Sequence, residues 1–340
     1  MKMNPLPSID YTPVIHHVKR TAEQLGGSGS ALYILHKNEV VVEQYWGTHS
    51  QEIGAKPIEA SSQFHIASVR KNYIGWVAAY AISTGRIRSL DDEVTTYYQP
   101  THPEFFSGVT IRHLLTHTHG LRMSENDIIR EFPPGCGWAY RGIGVDTLVK
   151  VLEAVLGQTI AEILNDYAFQ PLGLNETGWY ADETENLVTV IRDEEDANWH
   201  HGTSVSGDER NMYVSARDLA KWGNFHLHRG KFKGEQVVSS DIIELVTSVQ
   251  SPKMLDPDHP QNGFFWFVKD EASKRTEIGD HVPKGAYQLL GYTSVTLLVI
   301  PEYDAVVVRA FNRFGSPEGY DYLEDVRSFG DTVAGCFQIQ

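Results

Sequence analysis

Strand-like apolar runs stand at both ends of this 340-residue chain, and helix-patterned sequence fills its middle. Near the N-terminus, Ala31-Leu32-Tyr33-Ile34-Leu35 and residues 39–46 flank His36-Lys37-Asn38, which predicts a β-hairpin. The last third returns to strands at 263–268, 295–300 and 305–310, the final two joined by a turn at 301–304. Between them, Ile74, Val77, Ala78 and Ala81 recur at helical spacing, with Gly85 as a stop. Further helices are expected at 111–115, 145–156, 160–167 and 216–227. Thr12-Pro13 reads as an N-cap and first-turn proline for a helix ending near Gly26, and a last helix is expected over 320–337. Strands, helices, then strands again imply an α/β (α+β) chain whose sheet is completed from both ends. Residues 1–90 plus 250–340 would form the sheet domain and 91–249 a mainly helical insertion, with a site between them. The polar stretch 182–210 is expected to be a lid or surface loop.

The formal charge of -15 favours solubility and argues against a nucleic-acid surface. No apolar run reaches membrane-spanning length. The start, Met1-Lys2-Met3-Asn4-Pro5-Leu6-Pro7, lacks the apolar stretch of a secretory signal. That places the protein in the cytoplasm unless a leader has been trimmed. Two cysteines, Cys136 and Cys336, make no disulfide framework and read as ordinary thiols.

Chemistry enters at Ser68-Val69-Arg70-Lys71, where the chain carries its one S-x-x-K. A serine hydroxyl is a weak nucleophile, and a deprotonated lysine amine held beside it can activate it. At the start of a helix the two side chains share a face, and the serine N–H is free to hold an oxyanion. The spacing alone is weak, since a chain with about 20 serines yields roughly one match by chance. The bland alternative is an N-cap serine with a solvent-facing lysine.

Several ordered segments surround Ser68. Residues 85–94 read GRIRSLDDEV, 110–121 read TIRHLLTHTHGL, 133–140 read PPGCGWAY and 213–223 read YVSARDLAKWG. Together they resemble the serine β-lactamase and penicillin-binding protein superfamily, on its class C side, a branch that also holds D-stereospecific peptidases and esterases. The similarity runs from about Leu32 to the last helix. It implies the β-lactamase-like fold, an antiparallel sheet flanked by helices with an inserted helical domain. It also implies a serine hydrolase that works through an acyl-enzyme on an ester, amide or lactam carbonyl. Its partner would be a small-molecule or peptide-like acyl substrate, with β-lactams among the candidates, and no cofactor and no metal.

Carried onto this chain, the resemblance makes Ser68 the nucleophile, Lys71 its partner and Tyr140 the shuttle and deacylation base. A tyrosine needs its pKa lowered by nearby positive charge for that last role. Two positions depart from the family. The family's Tyr-x-Asn is here Tyr140-Arg141-Gly142, so an amide is missing at Gly142. Its Lys-Thr-Gly or His-x-Gly is here Leu289-Leu290-Gly291, so the cationic position is Leu289. Gly291 still lets a substrate lie against the strand, and the N–H at Tyr292 would be the second oxyanion donor. These departures shift weight from β-lactams toward neutral esters or amides, and motivate a rival: a slowly acylating binding or regulatory member of the same fold. His113, His117 and His119 have a spacing that could suggest a metal. Their segment matches a helix end that binds none in the family, so they read as structural. His16-His17 and His200-His201 have less support still.

Overall fold

Helix α1 (Thr12–Leu25) leads into a hairpin of β1 (Gly29–His36) and β2 (Glu39–Gly47). A short strand β3 (Gln63–His65) precedes helix α2 (Arg70–Ser83). The middle of the chain holds α3 (Gly142–Leu156), β4 (Thr177–Trp179), β5 (Met212–Ser215) and α4 (Ala216–Leu227). It closes with β6 (Phe267–Val268), β7 (Tyr287–Leu290), β8 (Thr296–Ile300), β9 (Ala305–Phe311) and α5 (Tyr322–Gln338). The computed structural model describes residues 9–125, 127–196, 198–253 and 256–338. The segment on which the leader expectation rests, residues 1–7, lies outside them.

The main sheet has the order β6-β7-β8-β9-β1-β2, and every neighbouring pair is antiparallel. Strand β1 lies between β2 and β9, so the two chain ends meet in adjacent strands of one sheet. Lys37 and Asn38 turn the hairpin with φ of 52° and 65°, the left-handed pair that suits the twist of two strands. Alternation along the strands splits the core in two. Ala31, Tyr33, Leu297, Val299, Val306 and Val308 join a cluster with residues of α2 and α4 on one face. Leu32, Ile34, Leu298, Ile300 and Val307 pack with residues of α1 and α5 on the other. Each fully buried side chain of this size contributes about 1.5–3 kcal/mol of hydrophobic stabilisation. Helix α4 lies very close to the sheet, because a Cβ at Gly223 would stand 2.7 Å from both Leu297 and Val306. A smaller sheet has the order β3-β5-β4.

Three local expectations are corrected. Thr12 is the first residue of α1, not its cap; the Asp10 carboxylate accepts the Thr12 N–H at 2.9 Å and ends the turn instead. Of the run 263–268, only Phe267 and Val268 form a strand. Phe265 has φ of 60°, and the N–H groups of Phe264 and Phe265 donate to Val246 and Leu115 rather than to a strand. This run is apolar because it is buried under helices. Helix α2 is apolar nearly all round: Tyr73, Trp76 and Ala79 are as buried as the expected face of Ile74, Val77, Ala78 and Ala81. It is wedged between α3 and the helix at Ser240–Thr247, so neither side is free to be polar.

Candidate active site

The turn that carries Ser68 is built before α2 rather than within it. Ala67–Val69 forms a single 3-10 turn, entered through Ala67 in a left-handed conformation with φ of 46°. In such a turn residues three apart eclipse one another, which brings the side chains at 68 and 71 together. Lys71 Nζ lies 2.6 Å from Ser68 Oγ and 3.1 Å from the Tyr140 hydroxyl. The same nitrogen is 4.6 Å from the centre of the Tyr140 ring.

Helix α2 fixes Lys71 from behind. Its neighbour Asn72 is fully buried, donates to the Phe264 carbonyl and accepts from the Trp222 indole at 2.9 Å. Tyr140 is held by the segment before α3. The Ala139 N–H donates to the His117 carbonyl, and the His117 ring packs 4.4 Å from that of Tyr140. Arg141, next along, is clamped by Glu131 at 2.8 Å.

Gly291 and Tyr292 follow β7 in a tight turn. Gly291 presses so closely on the Ile66 carbonyl that a Cβ there would stand 2.4 Å away. The Thr293 hydroxyl donates to the His65 carbonyl at 2.6 Å, a second tie to the chain just before Ser68. Tyr292 therefore reaches the mouth of the site, its ring against Phe314 at 4.9 Å. Among the described residues, neither the Ser68 nor the Tyr292 N–H has an acceptor. Both residues line the same cavity.

Burial and charge set the protonation states. Lys71 is held well below its ordinary pKa, first by burial and then by the positive charges of Arg70 and Arg210. Burial and these charges favour its neutral amine form, which can take a proton. The Tyr140 hydroxyl is pushed up to about 12, because burial outweighs its hydrogen bond to Ser68. Tyr140 is thus a phenol near neutral pH. The expectation of a tyrosine made basic by nearby charge is not met, because burial outweighs both the Ser68 hydrogen bond and the lowering effect of Arg70.

The site opens into a cavity of about 680 Å³. Ser68, Lys71, Tyr140, Gly142 and Tyr292 all line it. Leu289 does not. It is 2% exposed in the core between sheet and helices, so its expected place in the substrate wall is corrected. Gln288, on the opposite face of β7, donates to the Glu277 carbonyl. Segment 182–210 supplies Trp199, His200 and Arg210 to the cavity wall. The Trp199 ring packs 5.1 Å from His65 and 5.2 Å from Phe314. Arg70 and Arg210 escaped the sequence reading. Arg70 lay inside the S-x-x-K motif itself, and a cation at a buried helix position was the available signal.

The three histidines of residues 113–119 make separate structural contacts. His113 completes a capping box with Thr110, the His119 Nδ1 accepts from the Leu121 N–H, and His117 backs Tyr140. Cys136 and Cys336 are both free thiols. No described helix is long and apolar enough to cross a membrane.

Residues 14–329 match the Beta-lactamase family. An uncharacterised protein of Alkalihalophilus pseudofirmus is 50% identical over 336 residues, 99% of each chain. Among solved structures, a penicillin-binding protein homologue from Caulobacter crescentus superimposes with a TM-score of 0.75 at 18% identity, over 96% of this chain and 97% of that one. EstCE1, a hydrolase with promiscuous acyltransferase activity, does so with a TM-score of 0.72 at 22% identity, over 96% and 100%. At such identities these likenesses speak to the fold.

Proposed function

The chain belongs to the beta-lactamase family, on its class C-like side, and from that premise we propose that it is a serine hydrolase working through an acyl-enzyme on Ser68. The observation that carries this reading is a buried lysine amine, depressed in pKa, 2.6 Å from a serine oxygen. Neutral Lys71 takes the Ser68 proton as Oγ bonds to the substrate carbonyl carbon. The carbonyl oxygen, now negative, accepts from the N–H groups of Ser68 and Tyr292. Tyr140 gives its proton to the leaving group as the carbonyl–leaving-group bond breaks, and regains one from protonated Lys71. Water then attacks the ester carbon, with Lys71 taking its proton and returning it to Ser68 Oγ as the bond between that oxygen and the acyl carbon breaks. Tyr140 serves as a proton relay, and Lys71 is the base in both halves. A fluorophosphonate probe is expected to label the wild-type protein and leave Ser68→Ala unlabelled. Equal labelling of both would remove Ser68 from the mechanism.

A second reading is favoured by two observations. Gly142 brings no side-chain amide to the site, and Tyr140 is held as a phenol. Both weaken deacylation more than acylation, which would suit a slowly acylating binder. Release from p-nitrophenyl acetate separates the readings: sustained Ser68-dependent turnover supports the hydrolase, and one stoichiometric burst supports the binder.

A further inference from the structure

We propose that Arg70 and Arg210 form an anion subsite beside Ser68, and that the acyl substrate of this site carries a carboxylate. The inference rests on Ser68 being the acylated residue, and adds the class of molecule it acts on.

Arg70 is 3% exposed yet lines the cavity. Its Nη1 is buried with no hydrogen-bond partner among the described residues. No described carboxylate comes within 4.0 Å of the guanidinium of Arg70 or Arg210. Asp146 and Asp208 favour the Arg70 charge only from beyond contact, and a buried cation without a contacting partner is costly, since the loss of hydration is repaid only by a partner. The other two arginines of the cavity are spoken for: Arg141 at 2.8 Å and Arg122 at 3.5 Å both pair with Glu131. Asp146 is the one carboxylate in the wall, and it is exposed. Four arginines therefore face one acid in the cavity of a chain whose net charge is -15.

Room for a ligand beside the free pair is kept by Gly142. A Cβ there would stand 3.3 Å from an Arg210 nitrogen and 3.9 Å from an Asp146 oxygen, so any larger side chain would grow into this space. A planar guanidinium fork suits a carboxylate, which it can hold through two parallel hydrogen bonds. The subsite lies on the Gly142 side of the nucleophile. The position the family gives to a cation on β7 is here apolar and buried, at Leu289. The charge that would hold an anionic substrate has been supplied from α2 and from segment 182–210.

The test compares matched esters: mono-p-nitrophenyl glutarate against p-nitrophenyl pentanoate for a carboxylate on the acyl side, and 3-acetoxybenzoate against phenyl acetate for one on the leaving group. The anionic member of at least one pair is expected to have the higher kcat/KM, by about 10- to 100-fold, the range of a charge-assisted contact. Which pair shows it assigns the side. Arg210→Gln, a partly exposed position that leaves the core alone, is expected to collapse that ratio. Ratios near one in both pairs, or a ratio unmoved by Arg210→Gln, overturn the subsite. Calorimetric titration of glutarate into Ser68→Ala, with and without Arg210→Gln, separates this failure from that of the nucleophile. Arg210-dependent binding supports the subsite even if labelling of Ser68 fails. Absent binding beside normal labelling overturns the subsite alone.

Discussion

Two buried cations sit on opposite faces of the main sheet, and they are treated in opposite ways. Arg309 on β9 is 0% exposed and is answered by Asp325 at 2.6 Å. Asp325 in turn accepts from the hydroxyls of Thr21 and Tyr320 at 2.6 and 2.8 Å, tying α1 and α5 to the sheet. Its carboxyl is held below the usual range by the Arg309 charge and these bonds, against burial. Lys71 on the other face has no carboxylate in contact. Its partners are two hydroxyls, and among its near charges Arg70 and Arg210, of its own sign, outweigh Asp146. A paired charge stays charged and holds elements together. An unpaired one gives up its proton, and a neutral amine beside a hydroxyl is a base. The same burial yields a structural joint on one side and a reactive group on the other.

Lys71→Met should break the functional side most sharply. Loss of a general base is expected to lower kcat/KM by about a thousandfold or more. Stability should move the other way. Because the folded protein keeps Lys71 unprotonated while the unfolded chain binds a proton, the wild type is penalised below pH 10.5, and the penalty shrinks as pH rises toward it. The variant is therefore expected to melt higher than wild type at pH 7, and a lower midpoint would sink the account of Lys71 as a strained group. Asp325→Ala tests the structural side. Stranding Arg309 is expected to cost about 3–5 kcal/mol in a urea titration. The fraction that stays folded at low temperature should keep its rate of labelling by a fluorophosphonate.

His226 isolates burial from neighbouring charge. It is pushed down to about 4 by burial, against a hydrogen bond to the Trp222 carbonyl. Stability from this group is present above pH 6.5 and is lost as pH falls toward 4, by up to about 3 kcal/mol. Comparing unfolding at pH 7 and 4.5, His226→Gln should lose less than wild type, and an equal loss would rule out the histidine as a source of acid sensitivity. The smallest effect is expected at Ala67. Its left-handed conformation costs a non-glycine residue about 1 kcal/mol, so Ala67→Gly should unfold at higher urea. An unchanged or lower midpoint would mean that the turn before Ser68 stores no strain.

Much of the fold was legible because period and punctuation act locally. Helix α4 runs over Ala216–Leu227 as its pattern indicates, and Lys37-Asn38 turns the hairpin where the apolar runs break. The aromatic run before β6 misled because burial under helices and burial in a sheet demand the same residues. Ser68, Lys71, Tyr140, Gly142 and Tyr292 were named from motifs, and the structure brings all five to one cavity. Leu289 was named by alignment to a family position, but its side chain turns into the core.

The sequence by itself determined the family, the alternation of strands and helices, and the chemical types available at each motif. These depend on neighbours within a turn or two, or on ordered segments. Only the tertiary structure decided what those groups are. Whether Lys71 is an ammonium or an amine, and whether Arg70 is answered or free, depends on water excluded by α3 and segment 182–210 and on charges far apart in the chain. A pKa is a property of surroundings, and 139 residues separate Lys71 from Arg210 along the chain: folding alone brings such groups together.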